Sequence, residues 1–178
     1  MIRLRRNGHV AAPLDGLRQA DGLSGPLNDV PLVKGLIFRI DPAARITGQW
    51  SSPRGRLIEL RSEVAQPGAW FGLHVTLALP DLRRVAWLGF VARTASLDAI
   101  GIRPCLRSGL PGGGFHDAFF DRHILAHAAE TDHHDIMDPA RQPGLPPQAP
   151  WREFILFLPP RQGITWSLHD LRLFTIPA

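Results

Sequence analysis

The chain has 178 residues, which is enough for one domain with a hydrophobic core and short for two. Its 44% hydrophobic and 20% charged residues are typical of a soluble globular protein, and its 17 prolines and 17 glycines favour turns over long helices. The formal net charge of +4 comes from basic residues scattered without a run, so we expect no nucleic-acid binding.

The composition also bears on the cellular compartment. Cys105 is the single cysteine, so the chain has no internal disulfide. The N-terminal sequence MIRLRRNGHVAAPLDG lacks the apolar run of a secretory signal peptide, and no later stretch is long and apolar enough for a membrane span. We therefore expect no membrane insertion, and either a cytoplasmic protein or one released by lysis as part of a particle.

The first 45 residues differ from the rest of the chain. Glycine or proline recurs every few residues and no periodicity persists, apart from a short candidate strand at Leu36–Ile40. We interpret residues 1–45 as an extended N-terminal arm. Its scattered apolar side chains would dock on its own domain or on a neighbouring subunit.

Residues 46–178 are organised as strands separated by turns. Alternation is clearest in WFGLHVTLAL, whereas VAWLGFVARTA is apolar on both faces and is typical of a central strand. Pro104 indicates an edge or broken strand in AIGIRPCLRSG. Seven or eight strands with almost no helix signal predict an all-β fold with a single β-sandwich. Most of the tryptophans in or beside these strands are expected to fill its core.

The last strand changes phase in its middle. In ITWSLHDLRLF, the apolar residues up to Leu168 follow one parity, and Leu171 and Leu173 follow the other. A slip of one residue turns every later side chain to the opposite face of a sheet. A β-bulge at His169-Asp170 would restore the register.

Residues 130–150 contain five prolines and are predicted to form a long loop. The segment before and within it is rich in histidine and aspartate, the residue types that bind zinc, manganese or iron. His123, His127 and His133 are weak candidates for metal ligands, because their spacing matches no known ligand pattern. A solvated histidine-rich loop is the favoured interpretation, so we expect no metal site and no cofactor.

The second half of the chain resembles a known family. WREFILFLPP followed by GITWSLHDLRLF is similar to the closing strands of jelly-roll carbohydrate-binding modules and their galactose-binding-like relatives, and WFGLHVTLAL with VAWLGFVARTA resembles their central strand pair. The resemblance covers roughly residues 55–176. It implies a jelly-roll sandwich, and it implies that Asp170 in the final strand is structural.

A binding face is expected from the arginines. Arg93, Arg103 and Arg107 fall on consecutive candidate strands, and an arginine fork suits carboxylates and sugar hydroxyls. The resemblance implies that an arginine and an aromatic ring lie together on a concave sheet face. The candidate ligand-binding residues are Trp87, Arg93, Arg103, Arg107, His116 and Asp117. The alternative is that these arginines form a solvated face or pair with Glu59 and Glu63.

Two functions follow from this interpretation. The first is a non-catalytic module that binds a cell-surface polysaccharide, as part of a phage-like spike or fibre. The second is a structural or adaptor subunit of an assembly, attached to a protein partner or to itself through residues 1–45. No nucleophile motif is present and Cys105 is expected to be buried and inert, so an enzyme, specifically a metal-dependent hydrolase, is the minority interpretation.

Overall fold

The fold is a sandwich of two antiparallel sheets. The computed structural model describes residues 10–20 and 22–178. The first sheet has six strands in the order β1-β3-β4-β12-β6-β10, and the second has the order β2-β5-β11-β7-β8 with β9 beside β7. The strands are β1 (Ser24–Pro26), β2 (Leu36–Ile40), β3 (Arg45–Ser51), β4 (Ile58–Gln66), β5 (Phe71–Leu77), β6 (Val85–Ser96), β7 (Ile100–Gly109), β8 (Phe115–Phe119), β9 (Ile124–Ala126), β10 (Thr131–Met137), β11 (Arg152–Phe157) and β12 (Ile164–Pro177).

One core lies between the two sheets. Alternate side chains of β5 and β11, such as Leu73 and Phe154, point into it and are fully buried. From the first sheet, Trp166 of β12 is 1% exposed and donates its indole N–H to Thr94 Oγ1 at 2.6 Å. The predicted all-β sandwich is therefore confirmed.

The bulge in the last strand is also confirmed. The pairing of β12 with β6 shifts register between Leu168 and Asp170, and both Leu168 and Leu171 are fully buried. The extra residue keeps apolar side chains on the core face on either side of it. Asp170 accepts hydrogen bonds from Arg18 at 2.7 Å and from Arg172 at 2.7 Å, which is a structural role.

The predicted N-terminal arm is wrong for the part of it that the structure describes. Helix α1 (Ala12–Gln19) buries Leu14 and Leu17 in the core, and β1 and β2 are edge strands of the first and second sheets. Helix α1 and β1 are too short to show a period in the sequence, whereas β2 is the short strand predicted at Leu36–Ile40. Both α1 and β2 bury apolar side chains in the core. The boundary predicted at residue 45 falls between two strands of the same domain, and residues 1–9 lie outside the described residues.

The loop predicted at residues 130–150 begins later than expected. Thr131–Met137 forms β10, which pairs with β6 along its whole length at the edge of the first sheet. The sequence of β10 shows no alternation of apolar and polar residues, because polar side chains lie on both faces of the strand. The prolines follow β10, in a segment that includes a 3-10 turn at Pro139–Arg141.

Pro104 does not mark an edge strand. It lies inside β7, which pairs with β11 on one side and with both β8 and β9 on the other. The residues paired with β9 end at Ile102 and those paired with β8 begin at Cys105, so Pro104 occupies the break between the two partners. A residue without an N–H is tolerated at such an interruption.

Candidate functional site

The outer face of the second sheet carries aromatic side chains along most of its width. Residues opposite one another in an antiparallel pair lie on the same face, so the strand register places outward side chains in rows. Phe157 and Arg103 stand in one row. A second row, further along the sheet, contains Glu153, Arg107 and Asp117. The row after it pairs Gly109 with Phe115. We name this surface the aromatic face and define it by Trp70, Phe115, Phe119, Trp151 and Phe157.

Arg107 is fixed at the centre of the aromatic face. Its Nε and Nη2 donate to the two carboxylate oxygens of Asp117, at 2.7 Å each. The guanidinium carbon lies 3.8 Å from the centre of the Phe115 ring. These hydrogen bonds raise the pKa of Arg107 further above its already high ordinary value. The pair therefore presents a rigid, permanently charged set of donors and acceptors.

Arg103 lies on the same face without an acidic partner. Its guanidinium carbon is 4.1 Å from the centre of the Phe119 ring, and its side chain is exposed. Among the described residues, none of the ion pairs or side-chain hydrogen bonds includes Arg103. It lines a cleft of about 680 Å³ together with Trp70, Gly101, Arg107, Phe115, Asp117, Phe119, Phe157 and the segment 158–160. This volume lies within the usual range of small-molecule sites.

Trp151 extends the aromatic face past the end of the cleft. Its backbone carbonyl accepts a hydrogen bond from the Gly109 N–H, and its indole covers Gly109 so closely that a Cβ there would lie 2.3 Å from Nε1. The glycine therefore allows the ring to rest on the strand. Trp151 is 41% exposed and Phe115 is 52% exposed, although both are large and apolar.

A buried polar pair supports the aromatic face from below. His74 is 1% exposed, and its Nδ1 lies 2.8 Å from Glu153 Oε2. Burial favours the neutral form of Glu153, but the hydrogen bond and the charge of His74, with Arg39 and Arg107, outweigh it and lower the pKa of Glu153. His74 lies edge-on to Trp70 and Phe157, with ring centres 6.5 and 6.4 Å apart. The pair thus fixes two walls of the cleft.

The loop that leads to Trp151 is held by the buried side chain of Arg152. Arg152 is 1% exposed, and it donates to Leu79 O at 2.9 Å, to Pro146 O at 2.6 Å and to Ser108 Oγ. Burial lowers the pKa of Arg152 to about 10, and the charge of Asp81 opposes this shift only in part. Its hydrogen bonds therefore hold together the chain that follows β5, strand β7 and the proline-rich segment.

The structure divides the predicted site residues between two faces. Arg103, Arg107 and Asp117 lie together on the aromatic face, as described above. Trp87 and Arg93 lie on β6 in the first sheet, on its outer face, which is the opposite side of the sandwich. Arg93 is bound there by Asp132 at 2.8 Å. The prediction that Trp87 and Arg93 share one face with Arg107 is wrong, because β6 and β7 belong to different sheets.

His116 is also turned away from the aromatic face. It is paired in register with the fully buried Ser108, one residue out of phase with Asp117, and its ring lies beside Gly144 in the proline-rich segment. Its expected contact with a ligand beside Asp117 is therefore not supported by its position.

The candidate metal ligands do not converge. His127 accepts a hydrogen bond from the Ala129 N–H, and His133 Nε2 lies 3.0 Å from Thr131 Oγ1, whereas His123 is exposed. Across residues 10–20 and 22–178, no group of three histidine, cysteine or acidic side chains is placed to hold a metal ion. Cys105 is buried beneath the face, and burial raises the pKa of its thiol, so it is a poor nucleophile.

Comparison with known proteins shows the fold. No protein-family model matches the chain, and a comparison with curated proteins finds no match. Solved structures do match. The xylan-binding CBM22-1 domain of Xyn10C from Paenibacillus barcinonensis is 8% identical, with a TM-score of 0.54 over 88% of this chain and 94% of that one. The chain has the fold of a carbohydrate-binding module.

Two further structures are similar. The N-terminal cellulose-binding domain of β-1,4-glucanase C from Cellulomonas fimi is 11% identical, with a TM-score of 0.55 over 88% of this chain and 95% of that one. The enzymatically active domain of tailspike protein 4 from bacteriophage CBA120 is 12% identical, with a TM-score of 0.50 over 84% of this chain and 22% of that one. The predicted resemblance to jelly-roll carbohydrate-binding modules is therefore confirmed for the fold.

Sequence reasoning missed most of the aromatic residues of the site. Trp151 was expected in the core with the other tryptophans, and Phe115, Phe119 and Phe157 were not singled out. One signal was present: Trp151, Glu153, Ile155 and Phe157 share a parity opposite to that of the core residue Phe154. Which parity faces the core becomes clear only from the pairing of β11 with β5 and β7.

In the described part of the chain, no helix is long and apolar enough to cross a bilayer.

Proposed function

We propose that the protein is a non-catalytic carbohydrate-binding module and that the aromatic face binds the glycan. The observation that carries the proposal is a cleft lined by the exposed ring of Phe115 and the fixed Arg107–Asp117 pair, with the exposed indole of Trp151 just past its end. Aromatic rings pack against the apolar C–H side of a sugar, and the charged pair offers donors and acceptors to its hydroxyl groups. A concave site with a few placed polar groups is the usual form of a ligand site.

The proposed ligand is a polysaccharide of a cell surface. The likeness to xylan- and cellulose-binding domains supports a polymer rather than a free sugar. We further propose that the protein is carried on a phage-like particle that is released by lysis. The cleft is bordered at one end by Trp70 and at the other by Phe115, with Trp151 beyond it, so several sugar residues would lie along it.

An alternative function, attachment within a multi-protein assembly, is favoured by a different surface. The outer face of the first sheet exposes four apolar side chains on the neighbouring strands β10, β6 and β12, namely Trp87, Val91, Ile136 and Ile176. Exposed apolar patches on a soluble domain often mark protein contacts. Such contacts would leave the aromatic face free, so the two functions are compatible.

The test of glycan binding uses two exposed tryptophans as a matched pair. Binding to a panel of neutral and acidic bacterial and plant polysaccharides is measured by affinity electrophoresis for the wild type, Trp151→Ala, Phe115→Ala and Trp87→Ala. We expect Trp151→Ala and Phe115→Ala each to weaken binding about tenfold, which corresponds to about 1.4 kcal/mol. Trp87→Ala should bind as the wild type does, because this tryptophan has similar exposure but lies on the other sheet.

Circular dichroism and thermal melts would show that the variants remain folded. Loss of binding in Trp87→Ala with normal binding in Trp151→Ala would place the site on the first sheet and reject the aromatic face. Absence of binding to every polysaccharide of the panel would reject glycan recognition itself.

A further inference from the structure

The two arginines of the cleft differ in whether a carboxylate of the chain binds them. Arg103 and Arg107 lie on the same face of β7, about 13 Å apart at the usual rise of a strand. Arg107 is satisfied by a bidentate carboxylate from its own chain, Asp117. Arg103 has no carboxylate partner among the described residues, and only the ring of Phe119 orients it. The cleft therefore contains a positive charge that no carboxylate of the described residues balances.

The space beside Arg103 is open. Gly101 lies two residues before it on the same face and lines the same cleft. Apart from Gly101 and its two chain neighbours, no described residue has an atom within 4 Å of the position that a Cβ would take there. On the other side, Arg103 is paired in register with Phe157. A ligand group can thus approach the guanidinium from the Gly101 side while a sugar ring packs on Phe157.

The orientation of Arg103 suits a planar anion. A guanidinium that lies over an aromatic ring keeps its N–H groups available to an anion beside it. The fork of these N–H groups matches the two oxygens of a carboxylate. The Arg107–Asp117 pair shows the same arrangement completed, since the guanidinium of Arg107 lies over Phe115 and its N–H groups bind both oxygens of a carboxylate.

We propose that the aromatic face selects an acidic polysaccharide, and that Arg103 binds the carboxylate of a uronic acid residue in it. This inference rests on the proposed function, because it names the class of glycan that the same cleft takes. The ligand carboxylate occupies at Arg103 the place that Asp117 occupies at Arg107. The ring of Phe157, which is paired in register with Arg103, holds the neighbouring apolar surface of the sugar.

The experiment compares each acidic polysaccharide with its own neutral form. Polygalacturonate, alginate and hyaluronan are each used before and after reduction of their carboxyl groups to primary alcohols, beside xylan and a mixed-linkage β-glucan. Dissociation constants are measured for the wild type, Arg103→Gln, Arg103→Lys and Arg61→Gln. Arg61 is an exposed arginine of β4 in the first sheet, so Arg61→Gln controls for the change in net charge.

We expect the wild type to bind at least one uronate polymer about tenfold more tightly than its reduced form. Arg103→Gln should remove this preference, because it weakens binding of the acidic polymer far more than binding of the reduced polymer, whose contacts with the aromatic rings are intact. Arg103→Lys should keep part of the preference, since it retains the charge and loses the fork. Arg61→Gln should keep all of it, and added salt should weaken it.

Two results separate this inference from the proposal on which it rests. If the wild type binds neutral and reduced polymers as tightly as it binds the acidic ones, the acidic class is wrong and glycan binding stands. The same conclusion follows if Arg103→Gln keeps the preference for the acidic polymer. If no polymer of either kind binds, the proposed function fails, and the inference fails with it.

Discussion

The contact between His74 and Glu153 shows how single residues shape the site. Both side chains lie on the outward side of the second sheet, and yet His74 is 1% and Glu153 is 17% exposed because Trp70 and Phe157 lie beside them. A carboxylate in such a place is stable only while it is hydrogen-bonded. The pair therefore links the stability of the domain to the shape of the cleft.

The lowered pKa of Glu153 predicts a pH dependence of stability. Because its pKa in the folded protein lies below its ordinary value of 4.5, the ionised carboxylate contributes stability above that pH, and this contribution is lost as the pH falls through the folded pKa. We expect Glu153→Gln to be less stable than the wild type at neutral pH and the difference to shrink in acid. Urea unfolding at about pH 7 and about pH 3 measures this change.

Glu59→Gln provides the control for that experiment. Glu59 is 37% exposed and pairs with Arg56 on the first sheet, so its removal should change the free energy of unfolding little at either pH. A stability difference for Glu153→Gln that is the same at both pH values would show that the carboxylate charge contributes nothing.

At this scale the sequence predicted the polar residues of the site better than its aromatic ones. Arg103 and Arg107 share a parity along one strand, and Asp117 follows in the next, so their common face was predictable. The exposure of Trp151 was not predictable from the sequence. The indole rests on Gly109, which lies 42 positions earlier and is brought beside Trp151 only by strand pairing. Such long-range pairs decide which tryptophan is covered and which is free.

The bulge of β12 is the element whose sequence signal was clearest. Alternation that changes parity has a single structural solution in a sheet with one buried face, and the register shift lies where the parity changes. The bulge also presents Asp170 and the Leu171 carbonyl to Arg18, which binds both from helix α1. A local irregularity in the last strand thus holds an element from the start of the chain.

Removal of one residue should abolish this arrangement. Deletion of His169 would move Leu171 and the residues after it to the outer face, and each leucine uncovered costs about 1.5–3 kcal/mol. We expect the deletion variant to be destabilised by about 3 kcal/mol or more, or not to fold, as measured by thermal and urea unfolding. His169→Ala keeps the chain length, so it should remain close to the wild type; equal stability of deletion and wild type would contradict the role of the bulge.

Other elements were not predictable from their own residues. Helix α1 has eight residues and β1 has three, which is too short for a period to emerge, and β10 carries histidine and aspartate in place of an apolar face. Each of them depends on the sandwich for its stability. Long amphipathic strands such as β5 were predicted correctly because their pattern reflects their own burial.

The whole domain includes residues that looked separate from it. Leu14 and Leu17 of helix α1 and Leu36 and Phe38 of β2 are each at most 1% exposed, and they belong to the same core as the later strands. The chain from residue 10 onward therefore behaves as one packed unit. The described residues 10–20 and 22–45 therefore do not form a free arm for the attachment of a partner.

Truncation measures this contribution directly. A chain that begins at Gly22 loses both leucines of α1, and the burial of two leucine side chains stabilises a domain by about 3–6 kcal/mol. We expect its free energy of unfolding to fall by about that amount, a large part of the total stability of a small domain. A chain that begins at Val10 keeps α1 and is the control; equal denaturation midpoints for the two would show that the helix contributes nothing.

The hydrogen bonds of Arg152 have a consequence for binding thermodynamics. They fix the proline-rich segment through the Pro146 carbonyl and attach it to the chain after β5 through the Leu79 carbonyl, and Trp151 directly precedes Arg152. The conformational entropy of this loop and of its indole ring is therefore lost when the chain folds and not when a ligand arrives. A ligand of the aromatic face would meet a surface that is already ordered, and such preorganisation lowers the entropic cost of binding a flexible polymer.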